Sequence, residues 1–578
     1  MAARLTTYAV VAIVAATLIA GLIVGAQRDD SQGPVDLIVF NGKVYTADGS
    51  GTMAEAVAIR GSQVLRVGTD REIARLRRAQ TVMVDAGGAA VLPGFNDSNV
   101  QFIAGGLALD SADLLGAATA DEAQARIRAW AEVNPQRAWV VGRGWAPDTF
   151  ANGHPSKQLL DAAVPDRPAY MLSSDGRAAW VNTKALRLAG VTRRTANPAD
   201  GVIEKDPRTG EPSGVLRASA TALAARLVPE PTAADRALAL GRAVSEAHRN
   251  GVTSVQDANV APADFALYEE VRAAGDLDLR VYSSVAVGTE AIANGFSTLE
   301  ALSRKYPDDP LFKVGGARIT LDGPVESFEA ARPDPDSATP VASAGQPGID
   351  PDELNRLVRL LDARDWQVTI GAFGDRAVRM ALHACEHAVR SNPLPARGRR
   401  HRIEHLALVR PDDLHEIRTL GLIAVLHPFE ARTVTTRPNA LVRGLDDDRA
   451  ARAWPAAGIA AAKGRLAFAT GWPVAALNPL AAIADAVNRP DGSATENAAD
   501  TNEGIPLEQA IDAFTRTPAY ASFDEQRKGS LRPGMLADLV VLSNDIFAGP
   551  VSQLSSATIA VTIFDGKIVY RRGATPTD

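Results

Sequence analysis

The sequence predicts an α/β fold: a parallel barrel in the middle of the chain, with short β-strands near both ends. Two patterns indicate this. In the middle, short apolar runs alternate with segments of helical periodicity, which is typical of parallel strands separated by helices. Near both ends, apolar and polar residues alternate with the period of a strand. The chain has 578 residues, of which 46% are hydrophobic and 22% charged, a composition typical of a globular protein with a large core.

The predicted barrel elements lie between residues 233 and 470. Helical periodicity predicts Ala233–His248, Pro351–Ala363 and Arg376–Ala388 as helices. The candidate strands are Val252–Val255, Leu279–Val287, Val314–Leu321, Val368–Phe373, Arg402–Glu404, Leu422–Leu426 and Leu466–Thr470. Active sites of parallel barrels lie at the carboxyl ends of the strands, so the residues at these ends decide the function.

Strands are also predicted outside the barrel. Val35–Phe40 and Gly42–Thr46 alternate around Asn41-Gly42, a dipeptide typical of a hairpin turn. A second strand-rich block covers Ala537–Leu542 and Thr558–Tyr570. The segment 108–229 is too long for a loop, and we interpret it as an inserted cap region.

The first 34 residues predict a segment separate from the barrel. Tyr8–Ala26 is uncharged and almost entirely apolar, and a polar linker follows it. This run is nearly as long as the ~20 residues that cross a bilayer, and longer than the ~7–15-residue core of a signal peptide. We therefore expect residues 8–26 to anchor the protein in a membrane as a transmembrane helix, with the barrel outside the cytoplasm. The alternative is a secreted protein, cleaved near Ala26.

Composition excludes several functional classes. The formal net charge is −7, and no basic run is present, which argues against a nucleic-acid partner. The single cysteine, Cys385, excludes an intramolecular disulfide and a zinc site built from cysteines.

The most informative motif is Val91–Gln101, with the sequence Val-Leu-Pro-Gly-Phe-Asn-Asp-Ser-Asn-Val-Gln. It resembles the first barrel strand of the amidohydrolase superfamily, in which Pro-Gly-Phe-x-Asp-x-His-x-His brings two metal-binding histidines onto one strand face. Asn99 and Gln101 stand at those two positions. A neutral amide is a weak metal ligand where imidazole is a good one.

Further motifs extend the resemblance from about Asp36 to Gly573. They are similar to the branch that contains the N-substituted formamide deformylases and the exoenzyme-regulating proteins. The matching segments are Gly142–Trp145, Arg208–Val215, Gly251–Asp257, Leu321–Gly323, Gly374–Ala377, Arg400–His405, Trp472–Val474, Asn478–Leu480 and Gly529–Asp538.

The apolar run near the start of the chain and this resemblance together give a domain organisation. Residues 1–34 are the anchor or signal segment with its linker. Residues 35–88 and 531–578 are the two parts of one composite β-sandwich, and residues 89–530 are a TIM-like (β/α)8 barrel with the cap inserted at about 108–229. In the family, a divalent metal such as zinc activates a water that attacks an amide carbonyl, and an aspartate on the last strand transfers the proton.

The resemblance also allows the remaining site positions to be compared. Arg318 stands where the family has a metal-bridging lysine, and a permanently cationic guanidinium repels a divalent ion. Gly371 replaces the histidine of a His-x-x-Gly-Asp string, and Gly471 replaces the proton-transferring aspartate. In the cap, Arg177 stands where relatives usually carry a substrate-binding histidine. His405 is retained.

One remaining imidazole does not make a catalytic zinc site, which needs about three protein ligands. We therefore expect no tightly bound divalent ion and no metal cofactor. On strand parity, Arg318 faces into the barrel mouth and Lys313, five residues earlier, faces the opposite side. A buried Arg318 then needs an acidic partner, for which Asp322, Asp375 and Glu404 are the candidates.

Two functions remain open. In the first, the protein is a pseudoenzyme that binds a partner or a small, anionic ligand in the former active-site pocket. In the second, it still hydrolyses carbon–nitrogen bonds of the amide type by a rearranged site, whose catalytic candidates are His405, Arg318 and Asp375. The predicted pocket residues are Asn99, Gln101, Trp145, Arg177, Arg318, Asp322, Gly371, His405, His427, Gly471 and Trp472.

Other histidines are interpreted as structural or auxiliary. His383-Ala-Cys-Glu-His387 matches a zinc-protease string, but the apolar stripe of its helix leaves both histidines on the outer face, so we interpret them as solvated. His401 lies four residues before His405 in a strand, where that spacing does not make a helix-face pair. His427 follows a strand, where relatives usually have Gln-Pro, and a hydrogen-bonding role in the pocket fits this position.

Overall fold

The structure is a computed structural model. It describes residues 35–150, 153–174, 176–199, 201–322, 349–431, 452–488, 504–549 and 551–573. The predicted anchor at residues 8–26 and the cleavage site near Ala26 lie outside this described part of the chain. Within it, no helix is both long and apolar enough to cross a membrane.

Strands and helices alternate through most of the chain. The strands are β1 (Leu37–Phe40), β2 (Lys43–Tyr45), β3 (Met53–Ala54), β4 (Ala56–Arg60), β5 (Gln63–Gly68), β6 (Val82–Asp85), β7 (Ala90–Pro93), β8 (Phe95–Val100), β9 (Ala112–Asp113), β10 (Val140–Trp145), β11 (Ala169–Ser173), β12 (Ala178–Val181), β13 (Gly201–Lys205), β14 (Pro212–Ala218), β15 (Val252–Asp257), β16 (Arg280–Ala286), β17 (Phe312–Thr320), β18 (Gln367–Ala372), β19 (Arg402–His405), β20 (Ile423–Leu426), β21 (Arg465–Phe468), β22 (Leu539–Leu542), β23 (Ile559–Phe564) and β24 (Lys567–Arg571).

The helices follow the same order. They are α1 (Asp70–Ala74), α2 (Phe102–Ala108), α3 (Ala120–Val133), α4 (Lys157–Ala163), α5 (Thr183–Leu188), α6 (Ala222–Ala225), α7 (Ala233–Arg249), α8 (Pro262–Ala274), α9 (Glu290–Ala293), α10 (Ser297–Lys305), α11 (Pro351–Asp362), α12 (Asp375–Ser391), α13 (Pro411–Thr419), α14 (Ala456–Ala461), α15 (Pro479–Val487), α16 (Leu507–Ala513) and α17 (Arg516–Ala521).

Eight parallel strands form the barrel, in the order β21-β20-β19-β18-β17-β16-β15-β8. Hydrogen bonds beyond the ends of β21 and β8 bring the two edges together: Gly471 N–H donates to the Asn99 carbonyl at 3.2 Å, and Gln101 N–H donates to the Trp472 carbonyl at 2.8 Å. The barrel is therefore nearly closed, and the predicted parallel barrel is confirmed. The carboxyl ends of its strands meet at one mouth.

Strands from the two ends of the chain share one sheet, in the order β24-β23-β22-β7-β2-β3. Within it, β22 runs antiparallel to β7, with Val540 opposite Leu92. A second sheet, β5-β4-β1-β6, packs against it. The buried core between them is made of aliphatic side chains: Leu37, Val39, Val57, Ile59, Val91, Leu539, Val541 and Ile563.

The start of the barrel needs one correction. The apolar run before Pro93 was expected to belong to the first barrel strand, but Ala90–Pro93 pairs with β2 and β22, outside the barrel. The barrel strand begins at Phe95. Gly94 marks the change, because a Cβ there would lie 2.2 Å from Thr253 Oγ1 on the next barrel strand. The chain crosses between sheets at a point where no side chain fits.

The cap has its own sheet and its own core. Its sheet has the order β13-β14-β12-β11-β10-β9. Aromatic side chains fill the core, with the Phe150 ring edge-on to Trp145 at 6.0 Å and to Trp180 at 5.1 Å between centroids. The cap therefore has a hydrophobic core separate from that of the barrel.

Strand β17 departs from regular parity. Its register against β16 shifts after Ser283, so that Tyr282 is opposite Lys313 and Ser284 is opposite Gly316. This extra residue puts Lys313 and Arg318 on the same strand face, and the prediction that they face opposite sides is wrong. Lys313 binds Asp524 at 2.7 Å, near the amino end of the strand, and so stays away from the mouth.

Candidate functional site

Arg318 binds a buried carboxylate at the barrel mouth. Its Nε donates to Glu404 Oε2 at 3.1 Å, and its Nη1 donates to Thr320 Oγ1 at 3.2 Å. Asn99 Nδ2 donates to the same Glu404 oxygen at 2.8 Å. The Glu404 side chain is 1% exposed and that of Arg318 is 17% exposed. Glu404 is thus the acidic partner among the three that the sequence analysis named.

Strand register explains why these side chains meet. Thr320, Gly371 and Glu404 are aligned across β17, β18 and β19, one level nearer the mouth than Arg318, Thr369 and Arg402. Side chains aligned in parallel strands point to the same side, which here is the barrel interior. The mouth is therefore built from two successive levels of polar residues.

Arg402 occupies the lower level and is fully buried. Its guanidinium donates to Thr369 Oγ1 at 3.1 Å, to the Ser98 carbonyl at 3.4 Å and to the side-chain oxygen of Gln256. All three partners are neutral, and burial lowers the pKa of this guanidinium while the charge of Glu404 opposes the shift. Two guanidinium groups, Arg318 and Arg402, thus share one nearby carboxylate.

Two glycines leave space for these and neighbouring side chains. A Cβ on Gly371 would lie 3.6 Å from Arg318 Nη2, so a longer side chain would compete with the guanidinium. A Cβ on Gly471 would lie 3.0 Å from His427 Cδ2, and this glycine has a φ of +67°. The side chains of Arg318 and His427 therefore lie next to the two glycines that stand where the resemblance implies a ligand and a base.

A second polar cluster lies beside this mouth, on β19 and just after β20. His405 Nδ1 is 3.0 Å from Glu430 Oε1, and Trp454 Nε1 donates to Glu430 Oε2 at 3.0 Å. The His405 ring lies between Phe373 and His427, with centroid separations of 3.8 and 4.3 Å. Glu430 is thereby held at both oxygens, and the two imidazoles are stacked.

Burial sets the protonation of this cluster. It lowers the pKa of both His405 and His427 to about 3, and the positive charge of Arg318 acts in the same direction on each ring. Burial raises the pKa of the Glu430 carboxyl, while His427 and the hydrogen bond from Trp454 oppose that rise. Both imidazoles are therefore neutral near pH 7.

The backbone is strained at the same place. His405 has a φ of +73° and Leu406 a φ of +51°. Consecutive residues with positive φ are unusual for side chains other than glycine, and such strain is concentrated at functional sites. At this turn the His405 ring stacks on Phe373 and His427.

The remaining carboxylates support the strand ends. Asp97 accepts hydrogen bonds from Thr470 Oγ1 at 2.5 Å and from the Asn99 amide at 3.2 Å, and burial raises its pKa to about 7. Asp322 accepts the amides of Phe373 and Gly374 at 2.8 and 2.9 Å. Asp375 is buried at the start of α12.

Other predicted pocket residues make their described contacts outside this group. Trp145 was predicted to line the pocket, and this prediction is wrong. Its ring lies in the cap core, and its Nε1 donates to the Met171 carbonyl at 2.8 Å. The backbone of Arg177 bonds to Ser173 and Ala218, which places this residue's backbone in the cap. Gln101 is exposed at the start of α2. Trp472 is buried against Phe102, with ring centroids 5.7 Å apart.

The other histidines match their interpretation. His383 and His387 are exposed on α12. His401 is buried, accepts the Val368 amide through Nδ1 at 3.1 Å and lies 3.0 Å from Asp362 through Nε2. Both of its ring nitrogens are used by neighbouring groups, so His401 supports the structure of the barrel wall.

The residues at the family's metal position do not fit a metal. Asn99 and Arg318 both direct donor N–H groups at Glu404, and neither Gly371 nor Gly471 has a side chain to offer. A divalent ion needs electron-pair donors, and a bound guanidinium is the opposite. We therefore derive no catalytic step through a metal at this position.

Sequence reasoning missed Glu430 and Trp454. Glu430 stands three residues after His427, in the string His-Pro-Phe-Glu that follows β20. Residues that follow a barrel strand lie at the mouth, so the position of Glu430 in the sequence could have predicted its place in the site. Trp454 lies farther along the chain, and only the fold brings its indole to Glu430.

A cleft also lies at the opposite end of the barrel. It has a volume of about 460 Å³ and lies beside Arg465, the first residue of β21. Its lining includes Asp48, Asp512, Arg516, Tyr520, Glu525 and Arg532. The amino ends of the strands carry none of the mouth residues, so this cleft is separate from the candidate site.

Sequence comparison gives the family. The sequence profile of the amidohydrolase family (Amidohydro_3) matches residues 82–570. Protein LONG AFTER FAR-RED 3 of Arabidopsis thaliana is 30% identical over 548 residues, covering 93% of this chain and 91% of its own length. The N-substituted formamide deformylase of Arthrobacter pascens is 25% identical, covering 93% of this chain and 98% of its own.

Solved structures agree on the fold. An uncharacterized metal-dependent hydrolase from Pyrococcus horikoshii aligns with a TM-score of 0.70 and 22% identity, covering 89% of this chain and 99% of its own. Its counterpart from Pyrococcus furiosus aligns with a TM-score of 0.67 and 23% identity, covering 87% and 98%. The profile match, which spans most of the chain, shows that this protein belongs to the amidohydrolase family.

Proposed function

We propose that this amidohydrolase-family protein binds a small anionic molecule at the barrel mouth and does not hydrolyse it by the family's metal-dependent route. The observation that carries the proposal is the guanidinium of Arg318, bound to Glu404 and lying beside Gly371. A fixed positive charge stands there in place of a metal-bridging group. The family's metal position accordingly holds no ion.

Local charge favours an anion. Arg318 and Arg402 carry two positive charges. The described hydrogen-bond partners of Arg402 are neutral, and Glu404 is the carboxylate whose charge acts on it. Nε and Nη1 of Arg318 each donate one bond, and a guanidinium has five N–H groups. The remaining N–H groups suit the planar, two-oxygen geometry of a carboxylate.

A second function, metal-free hydrolysis of an amide bond, is favoured by the contact between His405 and Glu430. In that mechanism, His405 takes the proton of an attacking water and Arg318 stabilises the oxyanion. The low pKa of His405, about 3, makes its imidazole a weak base near pH 7. We therefore place this function second.

Binding and turnover measurements on the full-length protein in detergent test the proposal. We expect simple carboxylates to bind, the matching neutral amides not to bind, and Arg318→Met to abolish binding. N-substituted formamides are a sharp choice of substrate, because the deformylase relative is named for them. Turnover that needs a divalent ion and disappears in Asn99→Ala would overturn the proposal.

We also propose that residues 8–26 anchor the protein in a membrane with the barrel outside the cytoplasm; secretion after cleavage near Ala26 is the alternative. The support is the length and apolar character of the run. Membrane fractionation with a carboxyl-terminal tag tests this, since an anchored chain resists carbonate extraction. A full-length chain in the cytosolic fraction would contradict it.

A further inference from the structure

We propose that His405, His427 and Glu430 form a displaced metal site, which holds one divalent transition-metal ion beside the family's own position. The inference goes beyond the proposed function and does not depend on anion binding. It rests on the neighbours of His405, because His427 and Glu430 bring two further ligand atoms close to it. This proposal departs from the sequence-based expectation that the protein holds no divalent ion.

The three side chains bring ligand atoms together. One ligand atom of each lies within 4.8 Å of the other two. Glu430 Oε1 is 3.0 Å from His405 Nδ1 and 3.9 Å from His427 Nδ1. Two imidazole nitrogens and one carboxylate oxygen are a donor set that proteins use for zinc and similar ions.

An unpaired nitrogen points to a missing ligand. His427 Nδ1 is buried and has no hydrogen-bond partner among the residues that the structure describes, and its side chain is 2% exposed. Leaving a buried polar atom unpaired costs about 1–3 kcal/mol, so such atoms usually have an explanation. A cation between this nitrogen and Glu430 would satisfy it, while Trp454 holds the other Glu430 oxygen in place.

The rings must turn for both to bind one ion. They are stacked 12° from parallel, and one ion cannot lie in the planes of two stacked rings. Space exists for this change: a cavity of about 20 Å³ borders His427, and residue 471 has no side chain. A side chain at residue 471 would contact the His427 ring, so glycine there removes one obstacle to its turning.

Arg318 opposes the ion. Its charge acts on both imidazoles, and a second positive charge in the same mouth is repelled by it. We therefore expect zinc affinity to rise in Arg318→Met. This variant also separates the two proposals, because it is expected to lose anion binding while it keeps and strengthens metal binding.

Metal titration of the chelator-treated, full-length protein in detergent tests the site. With Zn²⁺ we expect one ion per chain, and with Co²⁺ the visible absorption of a four-coordinate site. His427→Gln and Glu430→Gln should each weaken binding about 100-fold. His383→Gln and His387→Gln, on the exposed face of α12, are the matched controls and should change nothing.

Circular dichroism and thermal melting check that each variant is folded. If His427→Gln unfolds, Glu430→Gln gives the result on its own. Absence of saturable binding, or equal loss in the α12 controls, would overturn the displaced site and leave anion binding by Arg318 untouched. Zinc binding by the unsubstituted protein without any carboxylate binding would instead overturn the proposed function alone.

Discussion

Arg280 and Arg318 lie on neighbouring barrel strands and both bind a buried carboxylate, but they do so at opposite ends of the barrel. The Arg280 side chain is 3% exposed and donates two hydrogen bonds to Asp538, at 2.6 and 2.9 Å. It also binds Asp565 at 2.8 Å. Arg318 makes a single bond to Glu404 at 3.1 Å and is 17% exposed.

The difference separates a structural arginine from one that can meet a ligand. Arg280 joins the barrel to the terminal sheets, since Asp538 precedes β22 and Asp565 follows β23. Its donors are directed at protein groups on every side. Arg318 is held by one edge of its guanidinium, and its strand ends at the mouth. A cation that is fixed but not fully bound is suited to binding an anion.

The largest effect is expected from Arg280→Ala. It leaves Asp538 as an uncompensated buried charge, which costs about 3–5 kcal/mol of unfolding free energy. Denaturant unfolding measures this loss, and anion binding by the folded fraction should be unchanged. Arg272→Ala is the matched control, because Arg272 binds Glu269 at 2.8 Å on the surface and such pairs contribute about 0–1 kcal/mol. Equal losses in the two variants would refute the distinction.

Asp97 is a buried carboxylate whose described partners are a hydroxyl and amide groups, with no arginine among them. Its pKa in the fold is about 7, above its ordinary value of 3.8, so the folded protein binds the proton more tightly. Stability should therefore fall as pH rises from about 4 to about 7, on the order of 1.4 kcal/mol per pH unit. Asp257 has the same shift, so Asp97→Asn should remove about half of the combined slope. An unchanged slope in melting temperature against pH would contradict this.

Arg318→Met is expected to cost about 1–3 kcal/mol, since Glu404 stays buried with a bond from Asn99. The double variant with Glu404→Gln should recover most of that stability and remain unable to bind carboxylates. Calorimetric titration and denaturant unfolding of the same samples give both quantities. Anion binding retained in the double variant would show that the ligand site lies elsewhere.

Much of the barrel was predictable because strand ends follow apolar periodicity, and Arg318 was correctly expected to have an acidic partner at the mouth. Lys313 was misplaced because an extra residue in β17 changes parity, and no apolar pattern marks it. Trp145 was expected at the mouth because the motif Gly142–Trp145 matches the family, but it lies on a strand of the cap sheet. The contact between Glu430 and Trp454 depends on long-range packing that local spacing does not encode.

The smallest effects distinguish the two glycines at the mouth. Gly471 has a φ of +67°, and a Cβ there would contact His427 at 3.0 Å, so Gly471→Ala should cost about 1 kcal/mol or more. Gly371 lies in the regular strand β18 and has 3.6 Å to Arg318, so Gly371→Ala should change stability by less than about 0.5 kcal/mol. Only a longer side chain at Gly371 would displace the guanidinium, so Gly371→His should lose anion binding where Gly371→Ala keeps it. If both substitutions at Gly371 leave carboxylate affinity unchanged, Arg318 does not bind the ligand. Arg318 would then be a structural arginine, as Arg280 is.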